Sequence, residues 1–374
     1  MSEPTTLSEE EAAAKLADGE AWELFCEALK EAGSIVLTHS PDTDLDRAEG
    51  FRYLTRLTRM AFKLCLEHAD PAAPRLVRYM DPTQKFGIDN PDQLYQWARI
   101  SGDHAYRLHG PRNTASYVGI GVYAGSAGRG GRRTVAHLNA DDLAEKPEDE
   151  IVVVLAPDPH EGNWVRTDAD TTTLIVRNTM NDVEDERPAT LVLERLDADG
   201  PPPPLSALQV VKGLERAARQ VAGSAKMFAL LSDRWRAEPN LLHPMDERMA
   251  KESFGDPDFY YSGGAWTLQD DEALVIDFTP PPCRYWGFLV CNYWAESLDY
   301  RYRPVATNGH RARRREDGSV RLVVAHRKPR AGDANWLDTE GHREGTMILR
   351  WLLAEEPLVP KPRLVRLEDL DGPV

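Results

Sequence analysis

The length and charge of the chain exclude several classes of protein. A chain of 374 residues exceeds the usual size of one hydrophobic core, which predicts two domains. Its 41% hydrophobic and 28% charged residues are ordinary for a globular protein, and no apolar run approaches the ~18 residues that a membrane span needs. The formal net charge of -16 argues against a nucleic-acid partner, because phosphate binding needs a local excess of Lys and Arg.

The N-terminal residues and the cysteines predict a cytoplasmic protein. Residues 1–11 lack the basic and apolar regions of a secretory signal, so the sequence does not predict export by that route. The four cysteines have no C-x-x-C spacing, and two of them fall on the apolar faces of predicted helices. We interpret them as reduced core residues, because a free Cys packs as a small hydrophobic side chain.

The first 75 residues predict a pair of helices. Ser8 to Glu11 forms a capping box that indicates a helix start, and the apolar stripe from Trp22 to Leu29 predicts a helix that ends at Ala32 to Ser34. A second helix, with aspartates at its N-terminus, is predicted to carry an apolar face from Phe51 to Cys65. We expect this face to pack against the first helix.

Two β domains follow in the prediction, with a helix between them. Residues 76–200 and 252–370 contain short β-type runs bounded by Gly, Pro, Asp and Asn, without a convincing amphipathic helix between the runs. This pattern predicts a mainly β fold of antiparallel sandwiches or jelly rolls rather than β-α-β units. Residues 201–251 begin as a proline-rich linker and continue as a long helix from Ser206, whose apolar positions predict packing on one or both β domains.

The two predicted β domains carry the same motifs in the same order. Each has Phe-Gly, then Pro-Asp-x-x-Tyr, then Tyr-x-Gly, then Asn-Trp, and finally an apolar run that ends in Arg. The conserved order and nearly constant spacing predict the duplication of one ancestral domain. Shared residues are expected to serve the fold, unless the protein has two equivalent sites. The shared positions are Phe86-Gly87 and Phe254-Gly255, Pro91-Asp92 and Pro257-Asp258, Tyr95 and Tyr261, Tyr117 and Tyr285, Gly119 and Gly287, Asn163 and Asn335, Trp164 and Trp336, and Arg177 and Arg350.

The sequence contains none of the common catalytic or cofactor motifs. It has no His-Glu-x-x-His, no Gly-x-Ser-x-Gly, no Walker loop and no Cys/His cluster with zinc spacing. The glycine-rich stretch from Gly125 to Gly131 lacks the Gly-Lys-Ser/Thr ending of a phosphate loop and is interpreted as a hairpin connection. The aspartates from Asp42 to Asp46 do not open a calcium loop, because Arg47 and Tyr53 occupy the positions of its Gly and Glu. We therefore predict no metal and no cofactor.

Function is expected where the two halves differ. The stretch from Tyr285 to Arg303 is rich in aromatic residues, whereas the first half has its glycine-rich hairpin there. We predict a cleft in which aromatic faces stack on a sugar ring or a flat apolar ligand while polar side chains bind its polar groups. The alternative is a well-packed strand with a partner interface. The predicted ligand-binding residues are Trp286, Asn292, Tyr293, Trp294 and Arg303.

The motifs resemble two bacterial families that occur in tandem. In the first half, Asp89 to Tyr95, Tyr106 to Gly110 and Gly162 to Trp164 resemble domain of unknown function 1254 (DUF1254). The segment from Phe254 to Leu367, with Pro281-Pro282, Tyr285-Trp286, Asn335-Trp336 and Leu349-Arg350, is similar to domain of unknown function 1214 (DUF1214). The resemblance implies two β-sandwich or jelly-roll domains. Some relatives are thought to be polysaccharide lyases, which implies β-elimination from an acidic sugar.

Our leading hypothesis is an enzyme that acts on a small-molecule or sugar-like ligand. In a lyase reaction, Arg301 would neutralise the substrate carboxylate, and Tyr302 or His326 would remove the adjacent proton. The opposing hypothesis is a non-catalytic ligand-binding or assembly protein. In that case, the aromatic strand and the long helix would form the interface of a homo-oligomer.

Overall fold

The structure is a computed structural model that describes residues 7–126, 131–246, 255–330 and 332–370. Phe254 of the repeated Phe-Gly motif and residues 127–130 of the glycine-rich stretch lie outside the described residues. Within the described ranges, no helix is both long enough and apolar enough to cross a membrane.

The helices begin largely where their capping residues predict. The described residues form the α-helices α1 (Glu9–Ala17), α2 (Glu20–His39), α3 (Asp44–Phe62) and α4 (Ala207–Arg236). A π-helical turn, Lys63–Glu67, continues α3. Ser8 and Ser206 cap α1 and α4 through capping boxes, as the sequence predicted.

Helix α2 is longer than the sequence predicted. The predicted end at Ala32 to Ser34 is wrong, because α2 continues to His39. Ala32 and Val36 are buried in the core, and this burial offsets the ~1 kcal/mol that Gly33 costs inside a helix. The helical segment is broken instead at Gly19, whose φ of 84° is a conformation that glycine adopts without steric strain.

Each half of the chain forms nine strands within the described residues. The strands of the first half are β1 (Val77–Arg78), β2 (Gln93–Arg99), β3 (Tyr106–Pro111), β4 (Tyr117–Ser126), β5 (Gly131–Asn139), β6 (Glu150–Ala156), β7 (Trp164–Arg166), β8 (Thr171–Thr179) and β9 (Val192–Arg195). The strands of the second half are β10 (His243–Pro244), β11 (Phe259–Thr267), β12 (Glu272–Phe278), β13 (Tyr285–Cys291), β14 (Ala306–Asn308), β15 (Val320–Ala325), β16 (Ala334–Asp338), β17 (Glu344–Leu352) and β18 (Arg363–Arg366).

The two halves have the same topology. In the described part of the chain, the five-stranded sheets have the orders β1-β2-β8-β4-β5 and β10-β11-β17-β13-β14. The four-stranded sheets have the orders β7-β6-β3-β9 and β16-β15-β12-β18. In both halves one pair, β6 with β7 and β15 with β16, is parallel. This agreement confirms the predicted fold of two tandem β domains with N-terminal helices and a helix between them.

The repeated Asn-Trp motif makes the same contacts in both halves. Asn163 Nδ2 donates to the Val152 carbonyl at 3.1 Å, and Asn335 Nδ2 donates to the Arg321 carbonyl at 3.0 Å. The following indoles, Trp164 and Trp336, donate to the carbonyl oxygens of Ala156 and Ala325 at 3.0 and 2.9 Å. These bonds tie the parallel strand to its neighbour in each four-stranded sheet.

The repeated tyrosines and arginines meet in the five-stranded sheets, where Tyr95, Arg177 and Arg350 are buried and Tyr261 is partly buried. Tyr95 and Arg177 are opposite each other on β2 and β8, and Tyr261 and Arg350 are opposite each other on β11 and β17. Arg177 donates to the Tyr123 hydroxyl at 3.1 Å, and Arg350 donates to the Ile88 carbonyl. Each half therefore buries one arginine beside an aromatic ring, at equivalent places in its sheet.

Three large hydrophobic cores lie within the two halves and between the halves and the helices. Each sandwich has a core between its two sheets, and a third core joins α1–α4 to β2 and to the segment after β13. Phe25, Leu57 and Val221 of the helices share this third core with Tyr95 and Trp294. The helices therefore cover an outer face that includes residues from both halves.

Candidate functional site

The structure brings two of the three predicted catalytic residues into contact, Arg301 and Tyr302. Arg301 donates two hydrogen bonds to Asp299 (2.6 and 2.8 Å), which lower the pKa of Asp299 to about 2. Tyr302 is 78% exposed. His326 is partly buried, and its Nδ1 lies 2.7 Å from Thr339 Oγ1. The Arg301 guanidinium lies 5.1 Å from the centre of the Tyr302 ring, whereas the ring nitrogens of His326 face Thr339 and the Leu268 carbonyl. These contacts do not join His326 to the other two residues.

Two of the predicted ligand-binding residues lie in the second β domain. Trp286 is packed in its core against Phe278 and Trp351, with ring centroids 5.2 and 6.2 Å apart. Arg303 lies near the surface and donates to Asp338 at 2.8 Å. Trp286 also borders a cleft that is described below.

The other three predicted ligand-binding residues are buried under helices. Tyr293 donates to Asp233 of α4 at 2.8 Å, and Trp294 Nε1 donates to the carbonyl of Asp46 in α3 at 3.1 Å. Asn292 is 1% exposed. These residues attach the helical layer to the second β domain, because the polar atoms of all three bond to helical groups and the rings of Tyr293 and Trp294 pack in the third core.

Asn292 belongs to a buried charged network between α3 and the second β domain. His342 Nε2 and Asn292 Nδ2 each lie 2.8 Å from Glu49 Oε2, and Glu296 accepts from Arg56 at 2.7 Å. Burial raises the pKa of Glu296. In Glu49, burial also acts to raise the pKa, but the interactions with His342, Asn292 and Arg52 together outweigh burial and the pKa is lowered. In His342, burial acts to lower the pKa, but the interactions with Glu49, the Thr339 backbone and Asp46 together outweigh it, so the net shift is upward.

The pair of His342 and Glu49 should make stability depend on pH. A raised histidine pKa stabilises the folded state fully below its ordinary value of 6.5, and this stabilisation is lost as pH rises through the raised value. Between pH about 6 and about 8, we expect the free energy of unfolding to fall more steeply for the wild type than for His342→Gln, because Gln cannot gain a proton. Chemical denaturation at several pH values measures both slopes, and parallel profiles would contradict the prediction.

One tyrosine of each half contacts buried polar residues of the other half. Tyr285, at the start of β13, donates to Asp92 Oδ2 at 2.8 Å and accepts from Asn90 Nδ2 at 3.0 Å. Asp92 accepts further bonds from Asn308 at 3.0 Å and from both terminal nitrogens of Arg311 at 2.8 and 3.2 Å. The buried carboxylate of Asp92 is therefore paired with a cation and accepts hydrogen bonds at both oxygens.

Tyr117, at the start of β4, makes the corresponding contact with different partners. Its hydroxyl oxygen lies 3.0 and 3.1 Å from the carboxylate oxygens of Asp256, 3.0 Å from Asp258 Oδ2 and 3.0 Å from His137 Nε2. His137 Nε2 lies 3.4 Å from Asp256 Oδ1 and 3.3 Å from Asp258 Oδ2. Burial and the two carboxylates raise the pKa of Tyr117, so its side chain is a neutral phenol at pH 7 in this arrangement.

The repeated Tyr-x-Gly motif now has a physical explanation. A Cβ on Gly119 would lie 2.7 Å from the Tyr117 hydroxyl, and one on Gly287 would lie 2.1 Å from the Tyr285 hydroxyl. Each tyrosine side chain therefore lies over the glycine two residues later on the same face of its strand. Any larger residue would displace the ring from the other half's cluster.

Sequence reasoning missed these clusters, although it had a signal for them. Gly119 pairs with Asn139 as Gly287 pairs with Asn308, so the two registers are equivalent. At the equivalent positions that form or adjoin the two clusters, the halves differ in three residues. Asp256 replaces Asn90, His137 replaces Ala306, and Asp142 replaces Arg311.

A surface cleft of about 560 Å³ opens beside the Tyr285 cluster. Asn181 comes from the first half, and the remaining lining residues come from the second, so the cleft lies at the junction. The lining residues are Asn181, Pro280, Pro281, Pro282, Cys283, Arg284, Tyr285, Trp286, Gly309, His310 and Arg314.

The cleft is basic. It is lined by Arg284, His310 and Arg314, and none of the described lining residues is acidic. Arg284 pairs with Asp141, and His310 Nε2 lies 3.3 Å from Asp182 Oδ2. No carboxylate of the described residues pairs with Arg314. The cleft can therefore offer cationic groups to a negatively charged ligand.

Comparison with known proteins identifies relatives of the chain. The family described as "Protein of unknown function (DUF1214)" matches residues 267–356, which confirms the resemblance of the second half. None of the curated proteins matches. The VPA0106 protein from Vibrio parahaemolyticus has 13% identity and a TM-score of 0.50, over 91% of this chain and 100% of its own, which shows a shared fold alone.

A solved structure of an uncharacterized protein from Burkholderia cenocepacia is much more similar. It is 43% identical and has a TM-score of 0.91, over 96% of this chain and 100% of its own. Identity at this level over nearly the whole of both chains shows common descent. The protein therefore belongs to the same family as the Burkholderia cenocepacia protein, and its second half contains the DUF1214 region.

Proposed function

We propose that the protein is an enzyme that binds a small anionic molecule, such as an acidic sugar, in the cleft between its two halves. The basic lining of the cleft carries this proposal, because Arg284, His310 and Arg314 are concentrated there in a chain with a net charge of -16. The field of the distant acidic residues is screened over about 8–10 Å at physiological salt. Local cations therefore decide which ligand the cleft accepts.

The reaction class that we propose is a lyase-type β-elimination. Arg284 and Arg314 bind the substrate carboxylate and make the neighbouring C–H bond more acidic. His310 removes that proton through the ring nitrogen that does not face Asp182, and the C–H electron pair forms a double bond. The C–O bond to the leaving group breaks, and the leaving oxygen keeps that electron pair and takes a proton from water. This assignment moves the predicted roles of Arg301, Tyr302 and His326 to residues that line one cleft.

Ligand binding is the first test of this proposal. We expect galacturonate and glucuronate oligomers to raise the melting temperature of the wild type, because a ligand of the native state stabilises it by mass action. Arg314→Ala should weaken binding about 10-fold or more, since hydrogen bonds to charged groups contribute about 1.5–3 kcal/mol. Arg343→Ala is the matched control, because this side chain is 69% exposed and does not line the cleft. Equal affinity of Arg314→Ala and wild type would overturn the cleft assignment.

Turnover is the second test. The unsaturated product of β-elimination absorbs in the ultraviolet, which gives a continuous assay. We expect His310→Ala to retain most of the binding, because Arg284 and Arg314 hold the substrate carboxylate, but to lose about 10²–10⁴-fold in rate, the usual contribution of a positioned base. If the wild type binds the oligomers but forms no unsaturated product, the lyase step is refuted and the protein only binds the ligand.

We propose three further properties of the chain, namely the family of its first half, its domain bounds and its location. The first half is a DUF1254 domain, supported by the motifs from Asp89 to Tyr95 and from Gly162 to Trp164. The β domains span residues 76–200 and 252–370. The protein functions in the cytoplasm, which is supported by its four free thiols, because disulfides are rare in that compartment.

Assembly into a homo-oligomer is the second candidate function. The aromatic strand β13 is buried along its whole length, so it does not provide the interface that the sequence suggested. Exposed apolar side chains on α2 and α3 favour a different surface, since Trp22, Leu37 and Phe51 are 57%, 68% and 45% exposed. Light scattering at several protein concentrations tests this candidate, and a monomer throughout would refute it.

A further inference from the structure

We propose that His137, Asp256 and Asp258 bind one divalent transition-metal ion, such as Zn²⁺, beside the Tyr117 hydroxyl at the junction of the two halves. Tyr117 and His137 lie on β4 and β5 of the first half, and the two aspartates lie in the turn before β11 of the second half. This site shares no residue with the lining of the cleft. The metal proposal can therefore be tested independently of the proposed lyase reaction.

The cluster around Tyr117 has fewer protons to donate than it has close polar contacts. The Tyr117 hydroxyl lies within 3.1 Å of Asp256, Asp258 and His137, but a phenol has one proton to donate. His137 supplies at most one more proton at Nε2. The remaining close contacts place lone pairs opposite lone pairs, and a cation among these atoms would convert those contacts from repulsive to attractive.

The two equivalent clusters of the duplicated halves carry different charges. In the equivalent cluster, Arg311 brings a guanidinium to Asp92, and one carboxylate faces one cation. In the Tyr117 cluster there are two carboxylates, Asp256 and Asp258, and the position of Arg311 is occupied by the exposed Asp142. The carboxylate of the Tyr285 cluster is therefore neutralised by an arginine of the chain. The Tyr117 cluster has two carboxylates and lacks the equivalent arginine, so it carries an excess of negative charge.

The buried arginines do not account for this difference. Arg177 attracts the Asp256 carboxylate, whereas Arg350 interacts with the phenol of Tyr285 in the other cluster. Each cluster therefore has one such arginine nearby, and Arg177 offsets at most one of the two carboxylates around Tyr117. The deficit of positive charge is specific to the first, where the side chain of Asp256 is fully buried.

The distances fit ligands around one small ion. Zn²⁺ binds nitrogen and oxygen ligands at about 2.0–2.2 Å, so neighbouring ligand atoms are separated by roughly 2.8–3.6 Å in octahedral or tetrahedral geometry. Tyr117 Oη and His137 Nε2 lie 3.0 to 3.4 Å from each other and from the nearest oxygens of the two aspartates. The ligand atoms of His137, Asp256 and Asp258 all lie within 4.8 Å of one another. Little rearrangement is needed for these atoms to surround an ion.

The donor set selects the class of ion. An imidazole nitrogen suits Zn²⁺ and other first-row transition ions, whereas Ca²⁺ and Mg²⁺ prefer oxygen ligands alone. The side chains of His137 and Asp258 are 12% and 25% exposed, so the ion has a path from solvent and keeps a side open to water. A site with such an open side can bind a further ligand.

Metal titration of the whole chain tests the proposal. After removal of metal with a chelator, we expect calorimetry to show one Zn²⁺ bound per chain, with weaker binding of Mg²⁺. Asp258→Asn should weaken Zn²⁺ binding by at least about 10-fold, because even groups that only support a ligand contribute 10–100-fold in affinity. Zn²⁺ should also raise the melting temperature of the wild type more than that of the variant.

The internal repeat provides the matched control. Asp92→Asn changes the residue equivalent to Asp258 in the other cluster and should leave the stoichiometry and affinity for Zn²⁺ unchanged. If Asp258→Asn does not fold, Asp256→Asn, which recreates the Asn90 of the other half, gives the same measurement. A wild type that binds no Zn²⁺, or variants that bind it as tightly as the wild type, would overturn the proposal.

Discussion

Replacement of Glu49 by alanine should lower the free energy of unfolding by about 3–5 kcal/mol, the usual cost of removing one partner from a buried ion pair. Glu49 accepts from both His342 and Asn292, and His342 is 1% exposed. Without the carboxylate, a buried imidazole with a raised pKa loses the group that stabilises its charge. Chemical denaturation at pH about 6, where His342 is protonated, measures the full effect.

Two variants make this prediction specific. Glu31→Ala removes an exposed glutamate from the middle of α2 and should change stability by no more than about 0.5 kcal/mol. Glu49→Gln keeps hydrogen-bonding capacity but removes the charge, so it should fall between the wild type and Glu49→Ala. A cost for Glu49→Ala equal to that of Glu31→Ala would show that the network does not stabilise the fold.

Replacement of Trp294 by alanine should also cost about 3–5 kcal/mol. The indole is fully buried between Tyr53 and Tyr293, with ring centroids 5.8 and 5.0 Å away. Its removal leaves a cavity under α3 and deprives the Asp46 carbonyl of a donor. Because Trp294 joins α3 to the segment after β13, we expect the variant to loosen the helical layer. Hydrogen exchange should show faster exchange in α3 than in β17.

Trp22 provides the control for size and chemistry. It is 57% exposed on α2, so Trp22→Ala removes the same side chain without creating a buried cavity. We expect a cost below about 1 kcal/mol, from the contact of Trp22 with Phe25. Similar costs for the two variants would contradict the packing described for Trp294.

Much of the fold could be predicted because its signals are local or repeated. The capping boxes at Ser8 and Ser206 use atoms three residues apart, so their sequence pattern predicts the helix starts directly. The repeated motifs predicted two similar β domains, and the strand orders confirm them. The end of α2 was mispredicted, because burial of Ala32 and Val36 against other helices outweighs the local preference of Gly33.

The predicted site residues illustrate what a pattern of aromatic residues does not reveal. Asn292, Tyr293 and Trp294 have the composition of a binding cleft, but in the fold they contact α3 and α4. Their partners lie up to 248 residues away in the chain. Local composition cannot distinguish an aromatic ring that covers a ligand from one that is covered by a helix, because both require the same residue types.

The sequence by itself determined the duplication, the class of fold and the rule that the two halves should be compared. The tertiary structure decided which residues of the two halves meet. Tyr117 reaches Asp256, 139 residues later, and Tyr285 reaches Asp92, 193 residues earlier. The physical reason is that a shared motif specifies the position of a side chain within its own sheet. The charge around that side chain is set by the other half, and only the packing of the two halves makes one cluster neutral and the other a candidate metal site.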